Sequence, residues 1–343
     1  MILSICIPTF NRAHYLNNCL HSIIKYNLHK KLKFQVCVSD NCSTDNTEQV
    51  VKKAKRFLDI KYLKNPTNFG VHLNFLKVVS MADGEFIWMI GDDDLLMPYA
   101  IENIFDLINK NPNVDFFYVN SFHLSTDYIE KFTHPFDTKN LPIDMKPFSK
   151  RKIEGELPFY ELINPNISFD FLGGIFLSVF KKKNWIENTF VLDKKALSEK
   201  QIFSHFDNTF PHIKIFSRAF ANSKAYFNVL PLNVCITGAR EWSHMSPLIM
   251  SVRLVEALEE YRKNGLSFWQ YVYCKNYALR NFIPDFINMF IHRKNSGYAY
   301  INPLDLILKN FLYPNFYLSF FYFFGRRVLK LYEFLFGFFN SRK

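Results

Sequence analysis

The sequence predicts an α/β fold: a mostly parallel central sheet followed by a helical C-terminal region. Three observations carry this expectation. Apolar runs alternate with amphipathic stretches across residues 1–120. Those runs are apolar throughout, as strands covered on both faces are. From Pro247 onward strand-like runs give way to helical spacing.

The elements can be justified in order. Residues 2–7 are almost wholly apolar and stop at Pro8, which marks a buried first strand. Leu16, Cys19, Leu20, Ile23 and Ile24 recur at helical spacing. Residues 34–39 form the second strand, and a polar turn over 40–45 follows, where Thr44 or Asp45 can cap the next helix. Residues 60–63 are a short third strand and 65–70 a loop. A helix covers roughly 72–81 and the fourth strand 86–90. Another helix spans about 98–109, and 114–119 is strand-like. From His134 to Pro158 four prolines punctuate a basic stretch, the mark of a long irregular connection. Strand-like and helical segments resume from Ile167 to Thr237. The expected organisation is a catalytic domain over 1–245, with halves 1–120 and 121–245, and a helical region over 246–343.

Composition narrows the function. With 343 residues, 49% of them hydrophobic, the chain can bury a sizeable core. A formal charge of +11 suits nucleic acid, anionic lipid or phosphate-bearing substrates. No nucleic-acid motif accompanies that charge, so no nucleic-acid partner is expected. Cys6, Cys19, Cys37, Cys42, Cys235 and Cys274 lack metal-type spacing and read as small core residues in a reducing compartment. No charged segment precedes an apolar one at the start, so no signal peptide is expected.

The chemistry gathers where predicted strands end. Asp92, Asp93 and Asp94 follow the apolar run 86–90 and Gly91. In an open α/β sheet, ligands bind at the carboxyl ends of strands. Crowded carboxylates repel one another unless a cation joins them, and oxygen-only ligands suit Mg²⁺ or Mn²⁺. The alternative is an acidic turn capping a helix that starts near Leu95. Further signals end the other strands: Pro8, Thr9, Asn11 and Arg12 after the first, and Asp40 and Asn41 after the second. Asn68, Gly70 and Asn74 follow the third.

The segments CIPTFNRAHYLNNCLHSI, VSDNCSTDNT, NPTNFGVHLN and ADGEFIWMIGDDDLLMP resemble the nucleotide-sugar-binding half of family 2 glycosyltransferases with the GT-A fold. The last two look most like the abequosyltransferase-type branch, which joins deoxysugars to lipid-linked O-antigen units. The resemblance covers residues 1–120. It implies that Pro8, Thr9, Asn11 and Arg12 line the nucleotide-sugar pocket. Asp40 and Asn41 would meet the base, and an amide at Asn41 can donate as well as accept. Asn68, Gly70 and Asn74 would complete the pocket. It places Asp92 near the ribose and Asp93 on the metal, with Asp94 a further ligand. A literal DxD reading pairs Asp92 with Asp94 instead. Asp207 is the best match to the family's general base, with His205 and Glu199 as rivals. Arg240 suits the diphosphate, and His244 is an additional candidate metal ligand.

The expected activity is an inverting, divalent-metal-dependent transfer of a sugar from a nucleotide-diphosphate donor to a lipid-linked or surface glycan. The alternative is a catalytically degenerate domain acting as a membrane-bound scaffold. A nucleotidyltransferase would need a Gly-rich loop after the first strand, and a dehydrogenase GxGxxG; neither is present. The tail speaks to location. Fourteen of the thirty residues 310–339 are aromatic, and residues 291–343 hold eight Lys/Arg against two Asp/Glu. The uncharged stretch 310–325 contains Pro314 and is shorter than the roughly 20 residues a spanning helix needs. Arg326, Lys330 and Glu333 share one stripe amid aromatics, as in a helix lying in a membrane interface. Peripheral attachment at the cytoplasmic face of the inner membrane, near an anionic lipid surface, is therefore expected.

Overall fold

Leu3–Thr9 forms the first strand, β1, and nearly every residue in it is buried. Its partner β2, Gln35–Asp40, is buried throughout. The two pair in parallel, Thr9 opposite Asp40, so their chemically loaded ends lie side by side. Outside β2 lies β3, Ile60–Lys64, also parallel. Inside β1 lies β4, Phe86–Met89, parallel again. Helices α1 (Ala13–Asn27), α2 (Thr47–Ala54) and α3 (Val71–Met81) make the crossovers. Leu16, Cys19, Leu20 and Ile23 of α1 pack into the same core as Ile5, Ile7, Val36 and Val38. Each such aliphatic side chain contributes roughly 1.5–3 kcal/mol when fully buried. That burial, rather than helix propensity, holds the layers together.

Beyond β4 the sheet departs from the expected pattern. The strands β5 (Leu95–Leu96), β6 (Phe116–Ser125), β7 (Lys146–Pro147), β8 (Gly155–Pro158), β9 (Ser178–Lys181) and β10 (Lys224–Thr237) complete it. The order is β3-β2-β1-β4-β9-β6-β10-β5, with β7 beside β6 and β8 beside β10. The strand β9 runs antiparallel to both β4 and β6, so one reversed strand splits two parallel blocks. Leu95 and Leu96, which only the capping alternative put at the start of a helix, pair with β10. The next helix, α4, runs over Ala100–Lys110. The 134–158 connection is partly ordered by β7 and β8. The 14-residue β10 is the hub of this half.

The described residues are 1–27, 32–168, 173–238, 243–325 and 327 of this computed structural model. They form two units, 1–240 and 241–343. Part of the phenylalanine excess lies in the first unit. Phe116 meets Phe159, Phe216 and Phe220 edge-on at centroid distances of 4.9–5.2 Å. Pairs of this kind add about 0.5–1.5 kcal/mol each beyond burial. All six cysteines are free, five of them buried. The second unit is helical, with Leu254–Lys263, Phe268–Ala278, Phe282–Ile291 and Pro303–Asn310 as its main helices. Among the described residues no helix is long and apolar enough to cross a membrane. The expected interfacial stripe of Arg326, Lys330 and Glu333 lies outside the described residues.

Candidate functional site

The site is built where β1, β2 and β4 end. At β1 the Thr9 hydroxyl donates to Asp92 Oδ2 at 2.7 Å. Arg12 follows and bridges two carboxylates: its Nε lies 2.9 Å from Asp92 Oδ1 and its Nη2 2.6 Å from Asp93 Oδ2. The guanidinium also stacks over the Tyr15 ring at 4.7 Å. Arginine's planar fork suits this two-carboxylate geometry better than a lysine point charge. Burial pushes the Asp92 carboxyl up to about 7; Arg12 pulls it down, and the Asp93 charge pushes it up further.

Asp94 has a different role. Its carboxylate turns back to accept from the Gly91 N–H at 2.8 Å, and its own N–H donates to the Gly91 carbonyl. This closes the acidic turn. Gly91 leaves room there, because a Cβ would come within 2.6 Å of Asp93 Oδ1 and displace that carboxylate. By donor type the turn suits a hard divalent cation, but only Asp92 and Asp93 converge, on Arg12, while Asp94 turns back to Gly91. All three carboxylates are buried, and two of them already converge on one cation. Oxygen-only sets of this kind fit Mg²⁺ or Mn²⁺.

The β2 end forms the second wall. Asp40 Oδ1 accepts from the Ser43 N–H at 2.7 Å, an Asx-turn, and Oδ2 accepts from the Tyr62 hydroxyl at 2.7 Å. Burial first, and then that bond, push the Tyr62 phenol well up. Asn41 Nδ2 donates to Asn68 Oδ1 at 2.7 Å, while Asn41 Oδ1 accepts from the Phe69 N–H at 3.0 Å. Asn41 thus pins the loop that carries Asn68 and Gly70. Gly70 sits at φ 88°, a conformation that favours glycine. Asn74 is a buried staple. Its amide N–H donates to the carbonyls of Ser39 and Thr9, and its Oδ1 accepts from Ser39 and Asn65. Asn11, at φ 52°, ties the first loop to the second by accepting from the Thr44 N–H at 2.8 Å. Asparagine tolerates that left-handed backbone better than most residues. Asp45 accepts from the N–H groups of Thr47 and Ala13, capping α2 and anchoring the start of α1.

The remaining candidates belong to other elements. Asp207 is 1% exposed and sits in the short helix Phe206–Thr209. Lys214 Nζ contacts it at 2.8 Å, and the Asp193 N–H donates to its Oδ2. The cap of that helix is His205, whose Nδ1 accepts from the Asp207 N–H at 3.1 Å. Glu199 accepts from the Ser204 hydroxyl at 2.7 Å and is exposed. His244 is exposed in the turn Ser243–Met245 of the second unit. Arg240 lies outside the described residues. Sequence reasoning did not single out Ser39, Tyr62 or Asn65, which anchor Asp40, Asn41 and Asn74 from neighbouring strands. Ser39 and Asn65 stand at strand ends, the available signal; Tyr62, mid-strand in β3, gave none.

Comparison with known proteins adds the context. The model of the family described as "Glycosyl transferase family 2" matches residues 4–162. Abequosyltransferase RfbV of Salmonella typhimurium is 42% identical over 101 residues, 28% of this chain and 29% of that protein. Poly(ribitol-phosphate) beta-N-acetylglucosaminyltransferase TarS of Staphylococcus aureus is 31% identical over 112 residues, 32% of this chain and 19% of that protein. The chain therefore spans less than a third of the length of these two relatives. The crystal structure of TarS residues 1–349 with UDP superposes with a TM-score of 0.56 at 15% identity, covering 83% of this chain and 72% of that one. At that identity the likeness speaks for the fold.

Proposed function

We propose that this protein, whose residues 4–162 match the glycosyl transferase family 2 model, transfers a sugar, with inversion, from a nucleotide-diphosphate donor to a lipid-linked or surface glycan. One observation carries the reading: Thr9, Arg12, Asp40 and Asp92–Asp94 converge at the carboxyl ends of adjacent parallel strands. Asp40 and Asn41 receive the base, and the Thr9–Asp92 pair faces the ribose. Asp93, with Asp92 or Asp94, would hold Mn²⁺ or Mg²⁺. Such an ion, when bound, neutralises charge that develops on the leaving diphosphate. Arg12 keeps the carboxylates in register until the donor arrives and adds positive charge beside its phosphates. The family resemblance alone offers Arg240 for the diphosphate and His244 as a candidate metal ligand.

The acceptor hydroxyl must lose a proton to a positioned base. Asp207 is the proposed base. To act, it exchanges its contact with Lys214 or the Asp193 N–H for the acceptor hydroxyl. RfbV and TarS are named for sugar transfer, which supports the reaction class. The exposed apolar side chains of the second unit support a membrane-bound acceptor. Trp269, Leu312 and Phe321 are 78%, 79% and 68% exposed. Such aromatics, next to a basic tail, suit peripheral binding at the cytoplasmic face of the inner membrane.

The test is calorimetric titration of UDP, dTDP, CDP and GDP, each with and without Mn²⁺, into wild type and Asp93→Ala. Metal-dependent binding of one nucleotide, lost in the variant, is the expected result. Binding of none by folded protein would overturn the reading.

A further inference from the structure

We propose that His14, Glu130 and His134 form a transition-metal site of the zinc type, separate from the acidic turn. The three come from distant parts of the chain. His14 lies in the first turn of α1. Glu130 and His134 lie just past the short helix α5, Thr126–Ile129, at the end of β6. One ligand atom from each falls within 4.8 Å of the other two. His14 Nε2 is 3.3 Å from Glu130 Oε1, and His134 Nε2 is 3.6 Å from Glu130 Oε2. Ligands of a tetrahedral zinc at about 2.0–2.2 Å sit roughly 3.3–3.6 Å apart; each histidine lies at that spacing from one oxygen of Glu130, and a turn of the carboxylate would present a single oxygen to both.

Two further observations favour a metal over a plain ion-pair network. His134 Nε2 is buried and has no hydrogen-bond partner among the described residues. Its other ring nitrogen, Nδ1, lies 3.2 Å from Asn18 Oδ1. That contact puts the ring proton on Nδ1 and leaves the Nε2 lone pair aimed at the cluster, the arrangement metal-bound histidines use. Asn18 is itself fixed, since its Oδ1 also accepts from the Phe136 N–H at 2.8 Å. The His14 and His134 rings meet edge-on at 4.0 Å between centroids, so both imidazoles stand beside the Glu130 carboxylate.

Two imidazoles and one carboxylate are the ligand set of borderline-soft ions such as Zn²⁺ and Co²⁺, unlike the oxygen-only acidic turn. Three protein ligands leave a fourth position, which faces solvent because His14 and Glu130 are exposed. The ion would clip the segment after β6 to the first turn of α1, two residues from Arg12.

The test is Zn²⁺ alone, titrated into the full chain against a chromophoric chelator. One ion per chain is expected. His14→Ala and Glu130→Gln, both changes at exposed positions, should each weaken it tenfold or more, while Asp93→Ala should leave it unchanged. Co²⁺ loading should give visible absorption that His14→Ala removes, and the metal-free melting temperatures of wild type, His14→Ala and Glu130→Gln should agree. Equal Zn²⁺ affinity in wild type, His14→Ala and Glu130→Gln would overturn the proposal. So would a single ion lost only in Asp93→Ala.

Discussion

Arg12 supplies the cation that three adjacent aspartates require. It also sets what single substitutions should do. In Gly91→Ala the new methyl meets Asp93 Oδ1 at 2.6 Å and drives that carboxylate out of place. Overpacking of this kind costs about 1–3 kcal/mol. Metal-dependent nucleotide binding should fall with it, as read by calorimetry. Asp207 can be judged by splitting rate from stability. If it is the base, Asp207→Asn lowers the transfer rate by about 10²–10⁴-fold while nucleotide titration is unchanged. A purely structural Asp207 would lose melting temperature and rate together. Lys214→Met strands the buried carboxylate and should destabilise by about 3 kcal/mol in urea unfolding. At this scale the sequence was partly legible. The acidic turn, Asp40 and Asn41 announce themselves by following apolar runs. The bridge from Arg12 to Asp92 and Asp93 does not, because it joins residues some eighty positions apart. The His14–Glu130–His134 cluster is hidden for the same reason.

Among the elements, the staple at Asn74 unites β1, β2 and the loop after β3. Asn74→Ala leaves the Ser39 hydroxyl and the Asn65 amide without that acceptor, at a cost of about 1–3 kcal/mol. Urea unfolding should show that loss, and nucleotide affinity should drop because Asn41 and Asn68 lose their frame. In the second unit the helix Phe282–Ile291 carries Asp285, which accepts from the Ser251 hydroxyl. Burial pushes that carboxyl up to about 6, against the pull of Ser251. The folded state then binds a proton more tightly than the unfolded one, so this contribution is full below about pH 4 and fades as pH rises through 6. Asp285→Asn should therefore be more stable than wild type at pH 7, by roughly 2 kcal/mol, and equal to it at pH 4. The first four strands and the third crossover helix were readable within a residue or two, and the first two helices in kind, because a local apolar run specifies a buried strand. The reversed β9 and the pairing of β5 with β10 were not, because non-local partners decide them.

For the whole molecule, the exposed aromatic surface of the second unit predicts a measurable surface activity. The full chain should sediment with anionic vesicles, and added salt should weaken that binding. A double change, Trp269→Ser with Phe321→Ser, should reduce it at least tenfold, while nucleotide titration stays as in wild type. Vesicle binding identical in the two proteins would remove this surface from the account. The sheet order has a consequence for modularity. β4, from the first half of the first unit, is hydrogen-bonded on one side to β9, and β6 is bonded to β9 and β10 from the second half. The segment that matches the family model, residues 4–162, is thus not a detachable cassette. A chimera joined near residue 120 would place strands of different ancestry edge to edge in one sheet, and each would have to match its new neighbour's twist and register. Recombination that respects this architecture exchanges residues 1–240 as a block, which means the acidic turn and the helix that carries Asp207 are inherited together.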